Sequence, residues 1–229
     1  MKTKSAGKFY GVGVGPGDPE LLTLRAVRVL EKVDIVIAPS AGGDSIAFEI
    51  AKPYIKGKLL KMPFEMGACG RARQEALDKN ADLIRRMLLE GNDTAFITLG
   101  DPMTYSTFIY MTERLTDFEI EVIPGVTSFS AAAAKLLMPV AEGRKPFAVV
   151  PAGDREILEK ALENFDNVVV MKVSSDYGGV LDLLEQKGFR SGLVVRCGHR
   201  DEVVTLEPEK YRGQKIDYLS VIIGKKVKP

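Results

Sequence analysis

Gly13-Val14-Gly15-Pro16-Gly17-Asp18-Pro19-Glu20-Leu21-Leu22-Thr23 decides the reading of this chain. The apolar run Phe9–Val14 before it predicts a strand, and Leu21, Leu24, Ala26, Val27 and Leu30 recur behind it at helical spacing over roughly Glu20 to Lys32. Two more turns are spelled the same way. Gly100-Asp101-Pro102-Met103-Thr104-Tyr105 follows the strand-like run Thr94–Leu99, and Pro124-Gly125-Val126-Thr127-Ser128 follows Ile120–Ile123. Each turn hands a strand over to a helix at the carboxyl edge of a sheet, where open α/β sheets bind their ligands. Taken together, the three turns predict one site assembled from distant parts of the chain.

Glycine lets a ligand approach the main chain, and Pro16, Pro102 and Pro124 stiffen the same turns by fixing φ. The first turn fails the dinucleotide spacing, Gly-x-Gly-x-x-Gly. A third glycine would have to stand at position 16 or 18, and those are Pro16 and Asp18. A Gly-x-x-x-x-Gly-Lys-Ser/Thr phosphate loop is absent too. The ligand is therefore not gripped by its phosphates.

From these loops outward, strand-like and helical patterns alternate. Strands are expected at Asp34–Ala38 and Lys58–Lys61, and helices at Ser45–Tyr54, Arg71–Glu90 and Tyr105–Leu115. That alternation implies a mostly parallel sheet covered on both faces. The second half reads as a small-residue helix, Phe129–Leu137, and strands at Phe147–Pro151, Val168–Val173, Leu193–Val195, Val203–Leu206 and Leu219–Ile223. The connections between the last three are too short for helical crossovers, so part of that sheet is antiparallel. The fold class is α/β with five strands in each half. The domains are read as 1–124 and 125–229, joined near Pro124-Gly125.

Composition narrows the function. Hydrophobic residues make up 45% and charged residues 28% of 229, ordinary values for a globular chain with a real core. A net charge of +1 supplies no basic field for holding a nucleic acid. The two cysteines, Cys69 and Cys197, do not form a disulfide framework, and a single histidine with no Cys-x-x-Cys offers no metal-ligand cluster. Met1–Lys8 carries no apolar signal region and no apolar run approaches the length of a membrane span, so no membrane partner and a cytoplasmic location are expected.

The Gly-x-Gly-Pro-Gly-Asp-Pro-Glu-Leu-Leu-Thr opening resembles the N-terminal signature of the tetrapyrrole (precorrin) methyltransferases, which use S-adenosylmethionine (SAM). The likeness runs from about Phe9 to Ile223. Gly-Asp-Pro-Met-Thr-Tyr-Ser-Thr and Pro139-Val140-Ala141-Glu142-Gly143 are most similar to the members that methylate C20 of precorrin-2 or cobalt-factor II in cobalamin synthesis. Tyr105-Ser106-Thr107 stands where the uroporphyrinogen-III branch usually carries Phe-Gly-Arg-Gly. The resemblance implies two α/β domains, the second with a mixed sheet, a cleft between them, a polycarboxylate tetrapyrrole substrate and a homodimer. Methylation at another ring carbon, the protein-methylating diphthine-forming branch and a non-enzymatic SAM-binding protein stay open beside the C20 reading.

Carried over residue by residue, the resemblance assigns SAM contacts to Pro16, Gly100, Asp101, Met103, Thr104, Thr127, Ser128, Met171 and Gly198. Asp101 and Tyr105 are the candidate catalytic side chains. Each has a plainer reading: Asp101 as a turn former, Thr127 or Ser128 as a helix N-cap, Met171 as core. Asp101→Ala is expected to cost turnover about 10²-fold with little change in melting, the effect of losing a positioning group. His199 is the residue whose ordinary pKa lies nearest neutrality. Asp18, Glu20, Glu142 and Asp101 are acidic alternatives as a base. Arg71, Arg73, Arg85 and Arg86 are read either as substrate-carboxylate contacts or as solvated helix charges. For the homodimer, Tyr105, Phe108, Ile109, Tyr110 and Met111 give their helix more apolar surface than one buried stripe needs.

Overall fold

The computed structural model describes residues 5–40, 45–64 and 70–227. Cys69 lies outside them. By internal contacts the chain divides into two compact units, Met1–Thr127 and Ser128–Pro229.

The first unit alternates β1 (Phe9–Gly13), α1 (Leu24–Lys32), β2 (Ile35–Ser40), α2 (Ile46–Ala51), β3 (Lys58–Pro63), α3 (Gly70–Leu89), β4 (Thr94–Thr98), α4 (Phe108–Thr112) and β5 (Ile120–Ile123). Its sheet has the order β3-β2-β4-β1-β5, and every pairing between these strands is parallel. Helices cover both faces. Ala26 and Leu30 of α1 and Ala47, Ile50 and Ala51 of α2 pack with Val12, Val36, Ala95 and Ile97. Leu77, Ala81, Ile84 and Leu88 of α3 and Phe108 and Met111 of α4 pack with Phe9, Ile37, Met62 and Phe96 on the other face. The chain leaves β1 towards β2 and leaves β4 towards β5, in opposite directions across the sheet, so the topological switch point lies between β1 and β4.

The second unit runs α5 (Ser128–Leu136), β6 (Ala148–Pro151), α6 (Arg155–Asn164), β7 (Asn167–Met171), α7 (Tyr177–Gln186), β8 (Phe189–Val195), β9 (Val203–Thr205) and β10 (Ser220–Lys226). The sheet order is β6-β7-β10-β8-β9. Only β6 and β7 pair in parallel; β10 runs antiparallel to β7 and β8, and β9 antiparallel to β8. The expected mixed sheet is present. Leu158, Ala161 and Leu162 of α6 and Val180, Leu181 and Leu184 of α7 close one face over Val168, Val170, Leu193 and Ile222. On the other face, α5 sits so close to β8 that a methyl group on Gly192 would come within 2.9 Å of Leu136 and 3.0 Å of Met138.

Several expectations are corrected. The helix read from Glu20 begins only at Leu24, because Pro19–Leu21 winds a 3-10 turn capped by Asp18 and Leu22 returns to extended backbone. Thr23 then caps α1 through Ala26 N–H at 3.1 Å. The helix read over Tyr105–Leu115 shrinks to Phe108–Thr112, since Tyr105 is left-handed at φ 51°. Phe108 and Met111 are fully buried core and Arg73 stacks on Tyr110 at 4.8 Å, while Tyr105 stands exposed ahead of the helix. Arg85 is tied to Asp117 and to the Arg114 carbonyl. No helix was placed over Arg155–Asn164 or Tyr177–Gln186 from the sequence. In the latter, Gly178 and Gly179 in the first turn interrupt and disguise a buried stripe made by Tyr177, Val180, Leu181 and Leu184.

Candidate active site

The three glycine-rich turns of the first unit are one structure. At the switch point, Gly15 and Gly100 exchange backbone hydrogen bonds, Gly100 N–H to Gly15 O at 2.8 Å and Gly15 N–H to Gly100 O at 3.3 Å. Both have positive φ, 75° and 71°, a region closed to most side chains. The third turn closes onto them. A methyl group on Gly13 would sit 2.7 Å from Gly100 O and from Gly125 Cα, and one on Gly125 would fall onto the Gly100 carbonyl. Backbone touches backbone at all three turns. Pro16 is buried inside the first of them.

Asp101 holds the cluster together. Its Oδ1 accepts from Met103 N–H at 2.9 Å and its Oδ2 from Gly125 N–H at 3.0 Å, so one carboxylate bonds its own turn and the third. Thr104 Oγ1 lies 3.4 Å from the same Oδ1. Asp101 is thus a turn former and a cross-loop brace together. Met103 and Tyr105 stand exposed beside it. The left-handed Tyr105 is a strained backbone position for a bulky side chain, of a kind concentrated at ligand clamps. Behind it, buried Ser106 bonds Thr98 of β4 at 2.9 Å and accepts from Phe108 N–H at 3.1 Å. The turn is thereby anchored to both the strand and the helix it joins. Thr127 ends the first unit.

The remaining assigned residues belong to the second unit. Ser128 is the first residue of α5, Met171 the last of β7, and Gly198 lies in the turn after β8. Met171 pairs with Val221 and Val195 with Ser220, so the turns leaving β7 and β8 emerge at the same end of the sheet, where β10 begins. Each opens with a left-handed non-glycine residue, Lys172 at φ 57° and Arg196 at φ 51°. Arg196 is pinned there by its N–H to Leu219 O at 2.7 Å and by Nε to Asp201 at 2.8 Å. Gly198, φ 79°, donates its N–H to Glu202 Oε2 at 2.6 Å. Burial pushes the Cys197 thiol up to about 11, with the Glu202 charge adding to it. Burial also raises Glu202, but the Gly198 N–H and Lys135 outweigh it and hold this carboxylate below its usual range.

The family model for tetrapyrrole (corrin/porphyrin) methylases matches residues 8–210, spanning all three turns and Gly198. The chain belongs to the tetrapyrrole methylase family. This methylase is 36% identical over 227 residues to a probable cobalt-precorrin-2 C(20)-methyltransferase of Methanocaldococcus jannaschii, covering 96% of the chain and 97% of that protein. It is 38% identical over 189 residues to the cobalt-precorrin-2 C(20)-methyltransferase of Salmonella typhimurium, covering 80% and 79%. Its fold is shared with a uroporphyrin-III C-methyltransferase from Thermus thermophilus solved in complex with S-adenosylhomocysteine, at TM-score 0.71 and 22% identity, covering 96% and 97%.

Two site-building residues of the methylase escaped the sequence reading. Ser106 carried a usable signal, a serine two places before a buried aromatic that opens a helix. Glu202 carried none, because an acid in Arg200-Asp201-Glu202 looks like a solvated turn. His199 has its N–H bonded to Arg196 O at 3.0 Å inside that same turn.

Proposed function

We propose that this methylase transfers a methyl group from SAM to C20 of precorrin-2 or cobalt-factor II during corrin-ring synthesis. The observation that carries the reading is the backbone contact among Gly13, Gly100 and Gly125 at the switch point, a cradle that any side chain would fill. Such a cradle suits an uncharged, closely approaching part of a ligand rather than a phosphate. SAM supplies an activated methyl group on a sulfonium, which needs alignment more than covalent help. Pro16, Gly100, Asp101, Met103, Thr104 and Thr127 of the first unit, with Ser128, Met171 and Gly198 of the second, are proposed to contact it, following the resemblance.

Asp101 acts by fixing the second and third turns, through Met103 N–H and Gly125 N–H. Tyr105, exposed and left-handed beside it, is proposed to orient the macrocycle. The C20 assignment draws on the two relatives named for that carbon and on Tyr105-Ser106-Thr107 after Gly-Asp-Pro. Mass spectrometry of precorrin-2 and cobalt-factor II after incubation with protein and SAM tests it. A gain of one methyl group on either, located at C20 by fragmentation, is expected; methylation elsewhere, or none, overturns the assignment.

A homodimer is proposed on the resemblance, and the exposed Tyr105 with the partly buried Ile109 and Tyr110 leaves some apolar surface beside the buried Phe108 and Met111. Light scattering at micromolar concentration should give twice the chain mass of 25.0 kDa.

A further inference from the structure

The carboxylate of Glu202 has a use that surface charge does not explain. It sits at the end of the turn that leaves β8, with its side chain only 17% exposed. Oε2 reaches back across four residues to accept Gly198 N–H at 2.6 Å, and Oε1 accepts from Lys135 of α5 at 3.0 Å. The Cys197 thiol, itself buried, is pushed up by burial and by the Glu202 charge beside it. Glu202 N–H bonds His199 O at 3.1 Å, so the residue closes the turn through main chain and side chain alike. Within the second unit, one acid therefore joins the Gly198 turn to the far end of the helix that starts at Ser128.

The turn needs such a clamp. It opens with Arg196 at φ 51° and passes through Gly198 at φ 79°, and a left-handed arginine persists only when its surroundings over-determine it. Asp201, with Asp217 at 3.6 Å, secures the Arg196 side from outside. Only Glu202 secures Gly198 from within, among the described residues. A charge-assisted bond to a backbone N–H is about twice as strong as a neutral one and is short, as here.

We infer that Glu202 is a positioning residue for cofactor binding: it presets the Gly198 turn by holding the Gly198 N–H, and it touches neither cofactor nor substrate. The inference rests on the proposed Gly198 contact with SAM. Loss of the bond should weaken cofactor binding and leave the methyl-transfer step nearly untouched.

Three variants test this in a Cys69→Ser background, where Cys197 is the sole thiol. Glu202→Ala removes the acceptor. Glu202→Gln keeps an oxygen that can accept Gly198 N–H but loses the charge. Lys135→Met removes the ion pair and leaves the Gly198 bond. For Glu202→Ala, the Kd for S-adenosylhomocysteine and the KM for SAM should rise about tenfold or more, the size of one lost charge-assisted hydrogen bond, with kcat changed less than about threefold. Glu202→Gln should fall between Ala and wild type, and Lys135→Met should stay within about threefold of wild type. Labelling of Cys197 by a thiol reagent, compared at equal thiolate fraction because the Glu202 charge also raises the thiol, reads the turn and needs no cofactor. It should accelerate in the same order.

If Glu202→Ala does not fold, the Gln variant alone must still show faster labelling and weaker binding. Unchanged labelling and unchanged affinity in a folded Glu202 variant would overturn the clamp. Faster labelling with unchanged affinity would overturn the link to the cofactor. If the Cys69→Ser parent itself fails to bind S-adenosylhomocysteine, the SAM reading falls, and labelling still judges the clamp.

Discussion

The two units solve the same problem with different materials. In the first, the turns at the strand ends are set by main chain against main chain: Gly13 and Gly125 have no room for a Cβ against each other and the Gly100 carbonyl, Gly15 and Gly100 exchange hydrogen bonds, and one aspartate ties the ends. In the second, the corresponding turns begin with Lys172 and Arg196 in left-handed backbone, and the Arg196 turn is held by side chains, Asp201, Asp217 and Glu202. A backbone-built site depends on what is missing at each position, so any addition breaks it. A side-chain-built site depends on single acceptors, so it should weaken in steps.

The sharpest way to break this comparison is a methyl group. Gly125→Ala drives a Cβ onto the Gly100 carbonyl and to within 2.8 Å of Gly13 Cα. It should abolish S-adenosylhomocysteine binding and destabilise the first unit by about 3 kcal/mol or more, the range of severe overpacking. Gly153→Ala, where the added carbon meets no atom within 4 Å, should stay within about 0.5 kcal/mol of wild type. Calorimetry and thermal melts on the pair decide it, and equal behaviour would refute a site built of backbone.

Next in size is Asp101→Ala. Turnover should fall about 10²-fold. Stability should fall as well, by about 1–3 kcal/mol, because Met103 N–H and Gly125 N–H lose a charged acceptor. Sequence alone suggested little change in melting; the bond that spans two turns is what alters that expectation. Steady-state kinetics with urea unfolding measures both effects, and a wild-type rate would reduce Asp101 to a local turn former.

How much was legible follows the same division. The first unit's site could be read in the chain because glycine and proline are themselves the structural device, and their spacing at Gly13–Gly17, Gly100–Pro102 and Pro124–Gly125 records it. The parallel sheet was legible too, since Val12, Val36, Ala95 and Ile97 repeat in runs that only a doubly covered sheet buries. The Arg196–Glu202 turn left no such record. It opens on a left-handed arginine and its clamp is an acid four residues from the group it holds, and both spell an ordinary polar loop. The Tyr105–Leu115 helix was only partly legible for a related reason: the left-handed Tyr105 stops the helical pattern, while Phe108 and Met111 turn wholly inward.

The buried thiol sharpens the account of the second unit. Cys197 is raised to about 11 by burial and by Glu202, so the folded state keeps its proton where the unfolded chain has already lost it. Its contribution is fully present below the usual thiol range and is lost as pH rises through about 11. Between pH 8 and 11 the wild type should lose on the order of 2 kcal/mol more stability than Cys197→Ala in urea unfolding. Parallel pH profiles would place the thiol in a wetter setting than the turn provides.

The smallest effect runs in the opposite direction. Leu137 follows α5 at φ 50° and is 89% exposed, while Leu137 N–H and Met138 N–H bond Ala134 O and Ala133 O in a helix-closing motif that favours glycine. Leu137→Gly relieves that strain and gives up no buried contact. A gain of about 0.5–1 kcal/mol is expected in thermal unfolding, and a loss would mean that the exposed leucine has a contact to give up.

The central claim, that the three glycine-rich turns form one cofactor cradle and not a dinucleotide site, meets its most direct test in calorimetric titration of the wild-type protein. S-adenosylhomocysteine should bind saturably at one molecule per chain, and NAD should give no heat beyond dilution. Saturable NAD binding with no response to S-adenosylhomocysteine would contradict it.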